Sequence, residues 1–426
     1  MEQQHSNKTQ QKSRINTKIA LQITLPLILF ATISIQLSKN LCFKKAPTPT
    51  MNLYLEQQVK TINPRAIIKR CDLFSGQWIP NPDAPYYTNN SCGVIQEHQN
   101  CMKFERPDIG FMKWRWKPND CDLPIFNANL FLEIVRNKSL AFLGDSVARN
   151  HMQSLICLLS QVESPTDVSN SKDDNFKRWH FETYNFTLAI LWSPYLVKAQ
   201  DNDPNGKTGK SFYGLYLDEP DEVWKAQIDE FNYIIISAGH WFFRPIIYYE
   251  NRHFMGCRYC EIDNLTEYSL TFGYRNAFRT AFRAILEKES FKGTVYMRTF
   301  APAHFEGGDW EHGGDCTRKR PYNTTEVTLE GENLDLYKTQ MEEFKEAQKL
   351  GAKRGLRFRL LDMTQLMLMR PDGHPSKYGR PAKYNDIWPS DCVHWCLPGP
   401  IDSWNDFLLE MIKTEGFDTE IPSLGK

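Results

Sequence analysis

The chain has 426 residues, of which 41% are hydrophobic and 24% charged, a composition typical of a globular protein with a substantial core. Its 51 basic and 51 acidic residues leave no formal net charge. A protein that binds nucleic acid by neutralising phosphates is normally basic, so this class of function is disfavoured. The composition also excludes a collagen-like chain, a long coiled coil and wholesale disorder.

An uncharged segment near the N-terminus predicts a membrane anchor. Residues 19–37 carry no formal charge and are long enough to cross the bilayer core as a helix, although Gln22, Pro26 and Gln36 interrupt the apolar run. A cleaved signal peptide is the alternative, but no small-x-small cleavage site follows. Four basic residues lie in 1–18 before the span, and three lie in 38–45 directly after it. This weak asymmetry predicts that residues 1–18 are a cytosolic tail.

The chain beyond this anchor has features of a protein in the secretory lumen. N-glycosylation sequons begin at Asn89, Asn137, Asn185, Asn264 and Asn323. All eleven cysteines follow the anchor, where oxidation is permitted. A zinc site is disfavoured because only Cys257 and Cys260 have C-x-x-C spacing and no second pair follows.

Three further regions are predicted. Residues 38–70 are basic and contain three prolines, which indicates a stem. Residues 71–127 hold four cysteines, and Pro, Asn, Asp and Gly interrupt every apolar stretch, so we expect an irregular, disulfide-held minor lobe. Residues 128–426 alternate strands with helices, which predicts an α/β domain with a mostly parallel sheet, flanking helices, and ligands at the carboxyl ends of the strands.

The predicted elements of the α/β domain follow the hydrophobic periodicity of the sequence. The strands, in chain order, are SLAFLGDS (139–146), FNYIIISAGHW (231–241), GTVYMRTFAPAHF (293–305) and FRLLDM (358–363). The helices are VARNHMQSLICLLSQV (147–162), NAFRTAFRAILEK (276–288), LDLYKTQMEEFKEAQKLG (334–351) and a last one over about 402–412.

Ser146 is a candidate nucleophile because an apolar strand ends in Gly144-Asp145-Ser146 and a helix begins at once. The unpaired N–H groups and the dipole at a helix N-terminus can stabilise an oxyanion. Ser and Asp are also preferred helix N-caps, so this run alone leaves a purely structural role open.

Asp391 and His394 are candidates for the acid and base of a triad. Their spacing of three residues lets the carboxylate reach the imidazole Nδ1 on a turn, which leaves Nε2 to take a proton from a serine. A capping Asp beside an unrelated His is the alternative. The chain order Ser, Asp, His suits a nucleophile on the first strand and a base on a late loop.

These motifs resemble a known family. The GDS at 144–146, the DCVH at 391–394, the Cys-rich run leading to MKWRWKP (112–118), and RTFAPAHFEGGDWEHGGDC (298–316) are similar to the plant trichome birefringence-like polysaccharide O-acetyltransferases, with their PMR5-type N-terminal module and PC-esterase domain. The resemblance covers roughly residues 70–415. It implies an SGNH/GDSL-esterase-like fold, a Golgi type II topology with a lumenal catalytic domain, and acetyl transfer through Ser146, Asp391 and His394. One departure is His151, where the family has Gln, and we expect it to be structural.

Further candidate site residues lie near Ser146 and at the end of a later strand. Resemblance to SGNH enzymes makes the backbone near Gly239, with His240, a candidate oxyanion hole. Arg149, one helical turn after Ser146, is a candidate for bracing an acidic loop or for contacting substrate, and Asp145 is expected to cap or brace the loop. The tryptophans at 114, 116, 388 and 395 are candidates for stacking on sugars or for core packing.

Neither a metal nor a bound cofactor is predicted. The acidic and histidine residues of the segment 304–315 lack helical H-x-x-x-H or facial-triad spacing. The acetyl donor, either acetyl-CoA acting through a transporter partner or an acetylated carrier, stays open.

Spacing and the resemblance together predict the disulfides. Expected pairs are Cys71 with Cys121 and Cys92 with Cys157. Cys392 and Cys396 should be bonded to Cys101 and Cys316 in an order left open. Cys257 and Cys260 complete the ten oxidised cysteines, and Cys42 is left over.

The predicted reaction is ping-pong transfer of acetyl to a hydroxyl of a wall polysaccharide. The segments 240–252 and 394–407 are more similar to the xyloglucan branch of the family than to the xylan and pectin branches. Transfer to mannan or xylan, and hydrolysis by a polysaccharide acetylesterase, are the alternatives. A catalytically silent polysaccharide-binding protein is a third, and the combination of Ser146, Asp391 and His394 argues against it.

Overall fold

The computed structural model describes residues 71–201, 212–259 and 264–418, with only the backbone described for 415–418. The predicted anchor, the stem, Cys42 and Cys260 lie outside these residues. Within the described part of the chain, no helix is both long enough and apolar enough to cross a membrane.

Thirteen strands are found in the described residues. In chain order they are β1 (Gly76–Pro80), β2 (Trp114–Pro118), β3 (Ser139–Gly144), β4 (Thr166–Asp167), β5 (Arg178–Phe181), β6 (Phe186–Trp192), β7 (Val197–Asp201), β8 (Tyr213–Pro220), β9 (Tyr233–Ser237), β10 (Ile246–Glu250), β11 (His253–Arg258), β12 (Thr294–Arg298) and β13 (Arg357–Leu361).

The same residues form seven α-helices. They are α1 (Ala128–Ile134), α2 (Ser146–Leu159), α3 (Glu222–Lys225), α4 (Leu270–Glu287), α5 (Gly331–Lys353), α6 (Thr364–Leu368) and α7 (Ser403–Asp418).

The central sheet has seven strands in the order β13-β12-β9-β3-β6-β5-β4. The first five run parallel, and β5 and β4 continue the sheet antiparallel. The chain leaves β3 towards β6 on one side and later adds β9 on its other side. Such a change of direction places a crevice beside the carboxyl end of β3, where open α/β sheets bind their ligands.

Apolar residues of alternating orientation place helices on both faces of this sheet. In β3, Ala141 and Leu143 face one core, which α4 and α5 cover, whereas Leu140 and Phe142 face a second core formed with α1, α2 and α7. Because both faces are covered, the central strands are apolar throughout rather than alternately polar. The predicted α/β fold with a mostly parallel sheet and flanking helices is confirmed.

Residues 71–127 are irregular apart from the antiparallel pair β1 and β2 and two short 3-10 turns, Glu97–Gln99 and Gly110–Met112. Trp78 of β1 meets Trp116 of β2 edge to face, with ring centroids 5.6 Å apart. Both predicted disulfides of this region are present: Cys71–Cys121 within it, and Cys92–Cys157, which ties it to α2.

The predicted glycosylation sites lie at the surface. Asn137, Asn185, Asn264 and Asn323 are exposed, and Asn89 is half-buried. Their glycosylation stays a prediction.

Candidate active site

Ser146 is the first residue of α2 and follows the central strand β3 without an intervening loop. The turn is possible because Gly144 adopts a φ of +149°, and a Cβ at this position would lie 1.7 Å from the carbonyl oxygen of Ser237. Only glycine fits such a close approach of two backbones. Ser146 is partly exposed at the carboxyl edge of the sheet.

Asp145 fixes this turn. Its Oδ1 accepts hydrogen bonds from the backbone N–H groups of Val147 (2.9 Å) and Ala148 (3.4 Å), and its Oδ2 accepts one from Gly239 N–H (3.0 Å). Burial raises the pKa of Asp145, although the charge of Arg298 and the backbone hydrogen bonds act in the opposite direction. Asp145 therefore caps α2, as expected from the sequence, and it also links the helix to the end of β9.

The structure brings Ser146, His394 and Asp391 together. Ser146 Oγ lies 2.7 Å from His394 Nε2, and His394 Nδ1 lies 2.8 Å from Asp391 Oδ2. The other carboxylate oxygen of Asp391 accepts the backbone N–H of Val393 (3.1 Å) and of His394 (2.9 Å). With the carboxylate at Nδ1, the neutral imidazole carries its proton there and presents the Nε2 lone pair to the hydroxyl of Ser146.

The electrostatics of the His394–Asp391 pair suit a base. Burial by itself would lower the pKa of His394, but the charge of Asp391 and its hydrogen bond outweigh that and leave the pKa of His394 raised. Burial would likewise raise the pKa of Asp391, but His394 holds it well below its usual range. Asp391 thus stays ionised and favours the imidazolium that forms when His394 takes a proton.

Two disulfides hold the loop that carries Asp391 and His394. Cys392 is bonded to Cys316, and Cys396 is bonded to Cys101. The pairing that the sequence left open is therefore resolved. A short backbone bridge between Ser376 and Asp391, with N–H to O distances of 2.8 and 2.9 Å, adds to this support.

The N-terminal region also reaches the site, which the sequence analysis missed. The ring of His98 lies edge-on to the ring of His394, with centroids 4.9 Å apart and planes at 76°. Burial and the neighbouring His394 lower the pKa of His98 to about 4, so His98 is neutral near pH 7. The carbonyl of the next residue, Gln99, accepts the N–H of Leu397 (2.9 Å).

Arg106 connects the segment around His98 to the backbone of Asp372 and His374. Its guanidinium donates to the carbonyls of His374 and Asp372, both at 2.6 Å, and pairs with Asp108. Because Arg106, Asp372 and His374 are all buried, these charge-assisted bonds satisfy carbonyl groups that are shielded from solvent. No local pattern in the sequence signals a contact between residues so far apart along the chain.

Two buried histidines support the backbone of the base. His374 Nδ1 lies 2.7 Å from the carbonyl oxygen of His394, and His374 Nε2 lies 2.7 Å from His304 Nδ1. The Nε2 of His304 in turn contacts the carbonyl of Leu368 at 2.9 Å. The indole of Trp395 stacks on His374 at 4.1 Å. These contacts hold the backbone of His394 in place and so restrict where its imidazole ring can lie.

The structure engages the candidate oxyanion residues Gly239 and His240 in other hydrogen bonds, and their role stays a prediction. The N–H of Gly239 is already donated to Asp145, and His240 Nε2 lies 2.9 Å from the carbonyl of Ala301. The buried carboxylate of Asp145 competes for the amide at the strand end, which a sequence pattern cannot reveal. The N–H of Ser146, by contrast, donates to no group among the described residues.

Arg149 and His151 occupy structural positions on α2. Arg149 hydrogen-bonds the side chain of Asn175, and its guanidinium lies over the ring of Trp192 at 5.1 Å. His151 is fully buried, with Nε2 3.2 Å from Asn405 Oδ1. The rings of Phe142 and Trp404 meet it edge to face on either side, consistent with the structural role expected for it.

The residues of the segment 304–315 are dispersed rather than gathered into a metal site. Glu306 pairs with Arg318, and His312 pairs with Asp309 at the surface. The remaining metal-like group among the described residues combines Asp315 with Cys316 and Cys392. Since these two sulfurs are bonded to each other, they offer no thiolate to a metal.

Comparison with known proteins agrees with this architecture. Residues 123–411 match the PC-Esterase family, described as a GDSL/SGNH-like acyl-esterase family found in Pmr5 and Cas1p, and residues 69–122 match the PMR5 N-terminal domain. The match places His98 and Arg106 in the PMR5 segment and the three residues Ser146, Asp391 and His394 in the esterase domain.

Several relatives align with most of the chain. Protein trichome birefringence-like 19 of Arabidopsis thaliana is 58% identical over 347 residues, which is 81% of each chain. Xyloglucan O-acetyltransferase 4 of Populus trichocarpa is 44% identical over 363 residues, covering 84% of this chain and 85% of the relative. Xyloglucan O-acetyltransferase 2 of Arabidopsis thaliana is 41% identical over 363 residues, covering 84% and 86%. The chain therefore belongs to the trichome birefringence-like family of polysaccharide O-acetyltransferases, with a PMR5 N-terminal domain followed by a GDSL/SGNH-like esterase domain.

Proposed function

We propose that this protein transfers an acetyl group from a donor to a hydroxyl of xyloglucan through an acetyl-serine intermediate. The observation that carries the proposal is the hydrogen-bonded series Ser146–His394–Asp391 at the N-terminus of α2. This arrangement is that of a serine nucleophile, its general base and the carboxylate that orients the base.

In the first half-reaction, Ser146 Oγ attacks the carbonyl carbon of the acetyl donor while His394 Nε2 takes the hydroxyl proton. Asp391 stabilises the resulting imidazolium. As the tetrahedral intermediate collapses, the bond to the donor breaks, His394 returns the proton to the leaving group, and Ser146 keeps the acetyl group as an ester.

In the second half-reaction, His394 takes the proton of a sugar hydroxyl, whose oxygen attacks the acetyl carbon. When this second intermediate collapses, the sugar leaves with the acetyl group and Ser146 regains its proton from His394. With water as the acceptor, the same residues release acetate, so the identity of the acceptor decides between a transferase and an esterase.

The negative oxygen of both intermediates needs hydrogen-bond donors. The N–H of Ser146 is the donor we assign, because it is unused among the described residues and stands at the positive end of α2. Asp145 accepts hydrogen bonds from the N–H groups of Val147 and Ala148 and thereby holds the first turn of the helix in place.

The choice of xyloglucan rests on likeness to relatives. Two proteins that are 44% and 41% identical to this chain are named xyloglucan O-acetyltransferases, and each is covered over more than four fifths of its length. Mannan or xylan as acceptor remains the alternative within the same chemistry.

The proposal includes the cellular context expected from the sequence. The chain would be held in the Golgi membrane by residues 19–37, with the described residues in the lumen, and it would receive acetyl groups from acetyl-CoA through a transporter or from an acetylated carrier. Protease protection in microsomes, together with a retained N-terminus and a mobility shift on glycosidase treatment, is the expected result. A mature chain beginning near residue 40 would contradict the anchor.

The test of the function is an acceptor competition. The full-length protein in detergent is incubated with an acetyl donor and equal amounts of deacetylated xyloglucan, xylan, mannan and pectin oligomers, and products are read by mass. Acetylated xyloglucan is the expected product. Acetate release alone would indicate an esterase, acetylation of another polymer would change the acceptor, and binding without turnover in the wild type would indicate a silent binding protein.

A further inference from the structure

One segment beside the proposed triad exposes large apolar side chains to solvent. Among the large hydrophobic residues described, Ile387 and Trp388 are the most exposed, at 69% and 61% of their surface. Tyr384, in the same short segment, is 39% exposed. A contiguous cluster of exposed apolar residues usually marks a binding surface.

The exposure of Trp388 is built into a folded loop. The N–H of Trp388 donates to the carbonyl of Tyr384 at 3.1 Å, and its carbonyl accepts a hydrogen bond from Arg380 at 2.7 Å. The Nε of Arg380 also donates to the side chain of Asn385 at 3.3 Å. These hydrogen bonds order the backbone of Trp388, whose indole is exposed.

This loop closes at the candidate active site. Ser376 Oγ hydrogen-bonds Asp315 Oδ1 at 2.5 Å, and the backbone of Ser376 is bridged to that of Asp391. The segment 377–390, which carries Trp388, is therefore closed by the backbone bridge that also supports Asp391.

Trp388 is also close to the reacting atoms along the chain. It precedes Asp391 by three residues, so their Cα atoms are at most about 11 Å apart. A polysaccharide that places one hydroxyl at the acetyl-serine must lay its neighbouring sugars across the adjacent surface. The loop that carries Trp388 forms part of that surface.

We propose that Trp388, with Ile387 and Tyr384 beside it, is an acceptor subsite that stacks on the apolar face of a pyranose ring in the neutral backbone of the polysaccharide. This inference rests on the proposed function and adds to it the place where the polymer is held. The indole offers a flat apolar surface, and its backbone is already ordered before the sugar binds, which reduces the entropy lost on binding.

Charged groups nearby define the competing ligand. Lys377, Arg380 and Lys383 lie in this segment, opposed by Asp386. Arg380 is directed to Trp388 and Asn385, and Lys383 lies over the ring of Tyr384 at 4.8 Å. An acidic pectin would depend on these cations, so its binding would fall with added salt, whereas stacking of a neutral sugar would not.

The experiment measures binding without turnover. Full-length Ser146→Ala protein is titrated calorimetrically with xyloglucan oligosaccharides of increasing length and with oligogalacturonate at two salt concentrations. Adding Trp388→Ala should weaken binding of the longer xyloglucan oligosaccharides about tenfold, the equivalent of roughly 1.4 kcal/mol. Adding Trp388→Phe, which keeps a ring, should cost no more than about threefold.

Phe254→Ala is the matched control, because Phe254 is 48% exposed on β11 of the separate four-stranded sheet. It should leave the affinity unchanged.

Equal binding by the Trp388→Ala and parent proteins, absence of xyloglucan binding by the parent, or a salt-sensitive preference for oligogalacturonate would overturn the inference. A wild-type enzyme that transfers acetyl to xyloglucan while Trp388→Ala leaves binding intact would overturn only the subsite. Binding that depends on Trp388 without any transfer by the wild type would instead overturn the proposed function.

Discussion

His98 of the PMR5 segment lies edge-on to His394 of the esterase domain, with ring centroids 4.9 Å apart. Both matched regions therefore contribute to the candidate active site. The disulfide Cys101–Cys396 and the hydrogen bonds of Arg106 reinforce the same junction. Deletion of residues 69–122 would therefore remove direct contacts to His394.

The contact between His98 and His394 leads to a first prediction. His98→Ala should lower turnover up to about tenfold, because an edge-to-face contact is worth about 0.5–1.5 kcal/mol and the base loses a ring that restrains it. His98→Phe should retain most of the activity, since it keeps a ring at that position. If the Phe and Ala variants are equally impaired, His98 acts through its nitrogens and the positioning role is wrong.

The pH dependence of acetylation should report the ionisation of His394. The base works only when neutral, so the rate of acetyl-serine formation should rise with pH through the pKa of His394. Asp391 raises that pKa above the ordinary value of about 6.5. Asp391→Asn should move the midpoint to lower pH and reduce the plateau by about 10³ to 10⁴, as in other triads. Rates measured with a small chromogenic acetyl ester from pH 5 to 9 would show this, and an unshifted midpoint would contradict it.

Asp145→Asn should affect stability more than catalysis. The amide keeps one acceptor for the helix cap but turns an NH2 group towards the N–H of Gly239, which costs about 1.5–3 kcal/mol of unfolding free energy. Turnover per folded molecule should stay within several-fold of wild type. A loss of a thousandfold in a variant of normal stability would instead place Asp145 in the chemistry.

Asp221→Asn provides a matched control for this change. Asp221 also caps a helix, through Val223 N–H, and its second oxygen accepts a hydrogen bond from the hydroxyl of Ser193 at 2.7 Å. A hydroxyl can rotate and accept from the new amide, whereas the backbone N–H of Gly239 cannot. Chemical denaturation should therefore show a smaller loss for Asp221→Asn than for Asp145→Asn.

Two disulfides should separate stability from activity. Replacing Cys316 and Cys392 together by Ser should lower the unfolding free energy by about 4 kcal/mol in the chain-entropy model and also lower turnover, since Cys392 adjoins Asp391. Replacing Cys71 and Cys121 together should cost similar stability but leave the turnover of folded protein near wild type. Equal turnover in the two double variants would show that Cys316–Cys392 does not position the triad.

The sequence predicted those parts of the fold that depend on local patterns. The apolar run at β3, its abrupt change to a helix at Ser146, and the Asp391–His394 spacing are all visible within a few residues. The sheet formed by β7, β8, β10 and β11 was missed because its strands mix polar and aromatic residues without a clear alternation.

Parts of the site depend on tertiary contacts that a sequence does not display. His98 contacts His394 although the two residues are far apart in the chain, and no sequence motif marks that contact. The hydrogen bond of Gly239 is of the same kind, since its amide at the end of β9 donates to Asp145, which follows the end of another strand. The order of the bonds from Cys392 and Cys396 likewise required the geometry of the loop.

The central claim is that Ser146 is the residue that carries the acetyl group. Wild-type, Ser146→Ala, His394→Ala and double-variant proteins are incubated with an isotopically labelled acetyl donor and no acceptor, quenched in acid and mapped by peptide mass. We expect the label on the peptide containing Ser146 in the wild type, and no label there in either variant or in the double variant, since triad members act as one unit. Label that persists at an equal level elsewhere in the Ser146→Ala protein, and that passes to xyloglucan oligosaccharides when these are added, would contradict the account.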